Sequence, residues 1–218
     1  MHYLTGIQPS GALHLGNWFG ALAPQLARQQ QHECTFFLAD LHALTTSRSG
    51  EQLRRDTHAL ALDLLALGLD PERSVLFRQS DLPQAAELCW ILATVTGIGL
   101  LERCHAYKDK VARGLPRSLG LFAYPVLMAA DILLLRPDRV PVGPDQLQHL
   151  EVARDIVHAF HRLHGELFVL PQADVDAGQR LVPGLDGRKM SKSHGNVVPL
   201  FADDATLRRA VAGIVTEN

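Results

Sequence analysis

Cysteine is scarce in this chain and long apolar runs are missing from it. Cys34, Cys89 and Cys104 are the only three, widely spaced and without a C-x-x-C pair, so they read as reduced core residues, not as a disulfide framework or metal ligands. No stretch reaches the roughly 18 to 20 uninterrupted apolar residues of a membrane-spanning helix. The longest candidate, Leu119 to Leu135, contains Tyr124, Pro125 and Asp131 and reads as a core helix. The start of the chain lacks the basic stretch and cleavage site of a secretory signal, and the expectation is a cytoplasmic protein with no membrane partner. An excess of one charge is lacking too. Against 21 Lys and Arg stand 23 Asp and Glu, a formal net charge of −2, which argues against a strongly basic nucleic-acid surface and leaves room for a local patch. Neither the G-x-x-x-x-G-K-[ST] loop nor the G-x-G-x-x-G loop occurs, and there is no internal repeat or low-complexity tract.

What is present is an ordinary globular composition, 47% apolar and 20% charged, in 218 residues, long enough for one sizeable domain with a buried core. Short β-branched or aromatic runs alternate with longer amphipathic stretches, the pattern of a parallel α/β sheet with helical crossovers. Strands are expected at Tyr3 to Gly6, Thr35 to Ala39, Val75 to Gln79 and Arg139 to Val142. Helices are expected at Gly16 to Gln30, Glu51 to Leu67 with Gly68 closing it, Pro83 to Val95, Leu119 to Leu135, Gln146 to Leu163, and from near Asp203. Of the 11 histidines, His158, His161 and His164 recur at helical spacing; with nothing else clustered about them they read as an exposed helix face, and no metal site is expected.

Two segments carry chemistry. Lys189-Met190-Ser191-Lys192-Ser193 sets two ammonium groups beside two hydroxyls, between Gly184, Gly187 and Gly195, a composition suited to a mobile loop that grips a polyphosphate. Far upstream, Ser10-Gly11-Ala12-Leu13-His14-Leu15-Gly16-Asn17 puts an imidazole and two glycines where a loop opens a helix, and there backbone N–H groups and the helix dipole can face phosphate. The plainer reading is a turn shaped by Gly11 and Gly16 with His14 capping the helix. Lys108 to Arg117 is a third, basic segment, which reads either as a phosphate-facing loop or as a solvated connector. Asp131 stands on an otherwise apolar helix, where a carboxylate needs a partner; a donor-only ligand N–H or Arg136 would each serve.

Together the two signatures resemble the HIGH and KMSKS motifs of class I aminoacyl-tRNA synthetases. Gly6-Ile7-Gln8-Pro9-Ser10-Gly11, Asp40-Leu41-His42-Ala43-Leu44-Thr45, Tyr124 to Leu133 and Val140 to Gln146 are similar to the tryptophanyl branch of that class. The resemblance implies a Rossmann-like parallel α/β catalytic fold over 1–218, with a connecting region at about 98–135 and a KMSKS loop at about 184–196. It implies ATP-dependent activation of L-tryptophan to its adenylate, with ATP-bound Mg²⁺, transfer to tRNA(Trp), and a homodimer. His14, Asn17, Lys189 and Lys192 then take the catalytic roles, stabilising phosphate charge. Gln8, Pro9, Ser10, Gly16, Gly143, Pro144, Asp145, Leu181, Met190, Ser191 and Ser193 complete the ATP site, with Lys108 near the phosphates. Asp131 would accept the indole N–H, Met128 pack on the ring, Val140 and Val142 wall the pocket, Tyr124 and Gln146 hold the ammonium group, and Gln8 and His42 line the carboxylate end. Leu4 stands where some relatives place an aromatic residue, and Pro144 where an acidic one is common. The helical region that reads the anticodon in this family lies beyond Asn218, so weak tRNA charging is expected. The competing expectations are a stand-alone paralogue or truncated regulatory form that activates or binds tryptophan without tRNA, and an H-x-G-H nucleotidylyltransferase.

Overall fold

The computed structural model describes residues 1–46, 49–104, 107, 112, 114, 117–143, 146–175 and 182–215. Strand β1 (His2–Ile7) pairs in parallel with β2 (Glu33–Leu38), and β2 with β3 (Ser74–Arg78). On the other flank β4 (Val140–Val142) pairs in parallel with β5 (Ala173–Val175). A parallel bridge from Tyr3 to Arg139, with Leu4 N–H donating to the Arg139 carbonyl at 3.1 Å, brings β4 alongside β1. The strands therefore run in the order β3-β2-β1-β4-β5, and the direction of winding reverses between β1 and β4. In an open α/β sheet, the crevice at the carboxyl ends of such a pair is where ligands bind.

The first crossover is helical from Leu15 to Arg28 but not uniform. Helix α1 (Leu15–Asn17) passes through a π-helical turn, Trp18–Leu22, into α2 (Ala23–Arg28). Pro24 explains the widening: it has no N–H, and its ring would meet the carbonyl four residues back in a regular α-turn. After β2 comes a short helix α3 (Asp40–Ala43), then α4 (Gly50–Ala66), capped by the Ser49 hydroxyl at the Gln52 N–H and closed by Gly68 at φ +101°. Beyond β3 lie α5 (Gln84–Ala93), with Pro83 as its N-cap, and α6 (Ile98–Glu102). Helix α7 (Leu119–Leu135) spans the stretch read from sequence, starts at the Ser118 cap and tolerates Pro125 inside it. It packs against α8 (Leu147–His164), and α9 (Asp204–Ala212) begins at the side-chain cap of Asp203.

One apolar core joins α7 and α8 through Val126, Ala129, Leu133, Ala153, Ile156 and Val157. A second lies between the sheet and the helices on one face, around Leu26, Phe36, Leu60 and Leu64. A third fills the opposite face around Leu4, Phe37, Ile132, Val140 and Leu150. Among the described residues no helix is long and apolar enough to cross a membrane. The three cysteines are free, with Cys34 and Cys104 buried. His161 departs from the exposed face expected of it: its Nε2 accepts the Leu167 and Phe168 N–H groups at 3.2 and 3.1 Å and pins the loop after α8.

Candidate active site

At the β1/β4 reversal the structure opens into a cavity of about 440 Å³. Its walls come from the ends of β1, β2 and β4 and from one face of α7, and Leu4, Gln8, His42, Tyr124, Met128, Asp131, Val140, Val142 and Gln146 all line it. Those nine are the residues set around the amino acid by the sequence reading. Asp131 is 4% exposed, a carboxylate in a mostly apolar wall. Its partner is not Arg136, which is exposed at the left-handed end of α7 at φ 49°. Instead the Gln79 amide nitrogen lies 2.9 and 2.8 Å from its two oxygens, and His42 Nε2 lies 3.0 Å from Oδ2. His42, expected at the carboxylate end of the amino acid, is thus tied to the group expected at the indole end. Tyr124 hydroxyl is 2.5 Å from Nε2 of the buried His149, and burial, followed by the nearby Cys104, pushes the phenol's pKa well up, so it remains protonated.

A second cavity, of about 670 Å³, is lined by His14, Gly16, Asn17, Lys189, Met190, Ser191, Ser193 and His194. His14 caps α1 and faces this space. Its Nδ1 accepts the Asn17 N–H at 3.3 Å, and Asn17 Oδ1 accepts the His14 N–H at 3.0 Å. An imidazole whose Nδ1 accepts carries its proton on Nε2, which is then a donor. Burial, and after it the ammonium of Lys192, lowers the His14 pKa, so the neutral form is the one present at pH 7. Gly16 leaves no room for a side chain: a Cβ there would sit 2.9 Å from His14 Nδ1 and 3.3 Å from Met190 Cβ.

The two sequence signatures meet. Lys192 Nζ donates to the carbonyls of Ser10 and Gly11 at 3.0 and 2.9 Å, across a separation of 182 residues in the first case. Desolvation in this position lowers the Lys192 pKa, opposed by Asp56 and Asp63 of α4. Gly16 N–H reaches Met190 Sδ at 3.2 Å, and the backbone after the lysine segment zips onto the histidine segment through Leu15 N–H to the Val198 carbonyl and Leu200 N–H to the Leu13 carbonyl. Buried Asn196 holds the loop in shape: its Oδ1 accepts the Ser191 N–H at 2.8 Å and its Nδ2 donates to Asp186 Oδ1 and the Lys189 carbonyl. Bonds from Asn196 and then Arg188 hold the Asp186 carboxyl down at about 2.

The loop from Gln8 to Gly11 runs from the first cavity to Lys192. An apolar pocket with one buried carboxylate therefore adjoins a set of neutral imidazole, amide, hydroxyl and ammonium donors. The family model described as tRNA synthetases class I (W and Y) matches residues 1–218. The chain belongs to this family. It is 54% identical over its whole length to a tryptophan–tRNA ligase of Rhodopirellula baltica and 49% identical to that of Campylobacter jejuni, covering 68% of each. The solved tryptophanyl-tRNA synthetase of Campylobacter jejuni, complexed with ADP and tryptophan, superposes over the whole chain with a TM-score of 0.96. A tyrosyl-tRNA synthetase of Archaeoglobus fulgidus, with L-tyrosine, is more distant at 26% identity and a TM-score of 0.74. The fold is accordingly the Rossmann-like α/β fold of class I synthetases.

Pro144, Asp145, Leu181 and Lys108, with most of the basic stretch Lys108 to Arg117, lie outside the described residues. Pro9 is buried in the loop after β1, and Gly143 lines the first cavity, not the second. Gln79, His149 and Asn196 were not anticipated. Each takes its part through a partner that only the fold supplies, Asp131 for Gln79, Tyr124 for His149 and Asp186 with Ser191 for Asn196.

Proposed function

We propose that the chain activates L-tryptophan with ATP to give tryptophanyl-adenylate and transfers the tryptophanyl group to tRNA(Trp). The carrying observation is the junction of Lys192 with Ser10 and Gly11, on the loop that starts at Gln8 in the wall of the cavity containing Asp131; it supports a single site shared by that cavity and the phosphate-type donors. In this reading tryptophan lies in the first cavity, with its indole N–H on Asp131 and its ring against Met128, Val140 and Val142. Its carboxylate oxygen attacks the α-phosphorus of ATP in line, the bond from that phosphorus to the bridging oxygen breaks, and pyrophosphate leaves. The protein's share is positioning and charge stabilisation, with no covalent step on a side chain. His14 Nε2–H and the Asn17 amide donate to the phosphates, while Lys189 and Lys192 follow the departing pyrophosphate, Lys192 exchanging its carbonyl partners for phosphate oxygens.

Mg²⁺ belongs to this reading as the ion that ATP carries. The side chains around the second cavity are largely donors suited to an anion, so the ion's ligands would be phosphate oxygens and water. The chain is also read as a homodimer, because Trp90 and Ile98 stand 72% and 67% exposed on adjoining helices. The test of activation is tryptophan-dependent exchange of labelled pyrophosphate into ATP in the presence of Mg²⁺. Folded protein that binds tryptophan yet gives no exchange would end the reading.

A further inference from the structure

Gln79 is 1% exposed, at the carboxyl end of β3, and every polar atom of its side chain is engaged. Its Oε1 faces the backbone N–H groups of Leu41 and His42 at 3.1 and 3.4 Å. Backbone N–H groups only donate, so this end of the amide must be oxygen and the other must be the NH₂ group; the usual ambiguity of an amide flip does not arise. That NH₂ meets both oxygens of Asp131. His42, whose own backbone Gln79 holds, reaches Asp131 Oδ2 through its ring. The Asp40 carboxylate, one residue before Leu41, binds Ser80 through both the hydroxyl and the N–H, at 2.6 and 3.0 Å, so the two strand ends are fastened on both sides of Gln79.

A carboxylate has about four acceptor positions. Here Oδ2 serves Gln79 and His42, and Oδ1 serves Gln79 alone, so Oδ1 retains capacity for a further donor. The terminal torsion of an aspartate, which turns the carboxylate plane, is broad, and a carboxylate in an apolar wall does not fix its own plane. We infer that Gln79 is the positioning residue that fixes the plane of Asp131 and leaves Oδ1 for the indole N–H, thereby setting how strongly the site separates tryptophan from an isostere without that hydrogen. This rests on the placement of the indole against Asp131 proposed above.

The test is pyrophosphate exchange with tryptophan and with β-(3-benzothienyl)alanine, in which sulfur replaces the indole N–H, for the unmodified chain and for Gln79→Met and Gln79→Glu. The unmodified chain should prefer tryptophan in kcat/KM by roughly 10- to 100-fold, the size of a hydrogen bond to a charged group. No preference there means that Asp131 does not read the indole, and this overturns the placement and the inference together. If the preference exists, Gln79→Met should collapse it towards unity by raising KM for tryptophan, with KM for ATP unchanged. A merely structural Gln79 would lower kcat/KM for both amino acids alike and leave their ratio intact, which overturns the inference alone. Gln79→Glu keeps the volume and the acceptor for Leu41 and His42 but sets a carboxylate against Asp131. Relative to the unmodified chain at each pH, its KM for tryptophan should be high at pH 8 and recover towards about pH 6, where the two carboxylates share a proton and a donor returns. A pH-independent defect in Gln79→Glu counts against it.

Discussion

His14 has one ring nitrogen committed, Nδ1 to the helix cap, while the residue lines the second cavity, where the proposed reading gives Nε2 its task. Protonation takes the cap away. Because the folded state holds the His14 pKa below the reference value of 6.5, the folded protein binds fewer protons in that range. Burial and then the Lys192 ammonium cause that lowering, so the stability that goes with a neutral His14 is complete above 6.5 and is lost as pH falls through the lower folded value. Urea unfolding at a series of pH values should show this acid-side loss of stability, and His14→Leu should remove that part of the slope. Lys192→Ala should slow pyrophosphate exchange by about 2 to 4 kcal/mol of transition-state stabilisation, the usual size for one charge-stabilising donor; an unchanged rate would show that this ammonium does not follow the leaving group. Both side chains were legible in sequence because their chemistry is written in contiguous strings. Gln79 was not, since its significance is a bond to Asp131 across 52 residues, and a lone glutamine after a strand carries no trace of that.

Among the elements, the long helices and central strands followed from periodicity, and α7 from its apolar run. The short pieces did not. Strand β5, reading Ala-Asp-Val, has no alternation to find, and it exists because β4 needs a parallel neighbour on its outer side. The π-helical turn was hidden because Pro24 reads equally well as the start of a helix. The lysine loop has a sharp steric requirement of its own: a Cβ at Gly184 would lie 2.3 Å from Asn196 Nδ2 and 2.6 Å from the Asn196 carbonyl oxygen. Gly184→Ala should therefore unseat Asn196, speed amide hydrogen exchange at Ser191 and lower the exchange rate, while leaving tryptophan affinity in place. Arg136 gives the opposite case. It occupies a left-handed position that glycine fills without strain, so Arg136→Gly should raise stability by about 1 kcal/mol, read as a higher Tm.

For the molecule as a whole, the sequence made the α/β class and the order of elements plain, and left the strand order to be found. The reversal between β1 and β4 rests on the bonding of His2 and Leu4 to Asp138 and Arg139 around the Tyr3–Arg139 bridge, contacts that no local pattern announces. If the exposed apolar face around Trp90 is the dimer contact, Trp90→Glu should sediment as a monomer at concentrations where the unmodified chain is a dimer; two species of equal mass would remove that face from consideration.

The pairing of residues 13–15 with 198–200 also bears on how the protein acquires its activity in time. Lys192 and Ser10 are 182 positions apart, and a closure that long adds little to the entropic cost at equilibrium, because the cost grows only logarithmically with length. Its kinetics are another matter, since contacts so distant in sequence form only after the intervening strands and helices have drawn the ends together. The first cavity, which also needs β4 and α7, can be complete while the second is still open. In stopped-flow refolding, tryptophan binding is expected to precede ATP binding, with the nucleotide signal following the slowest phase.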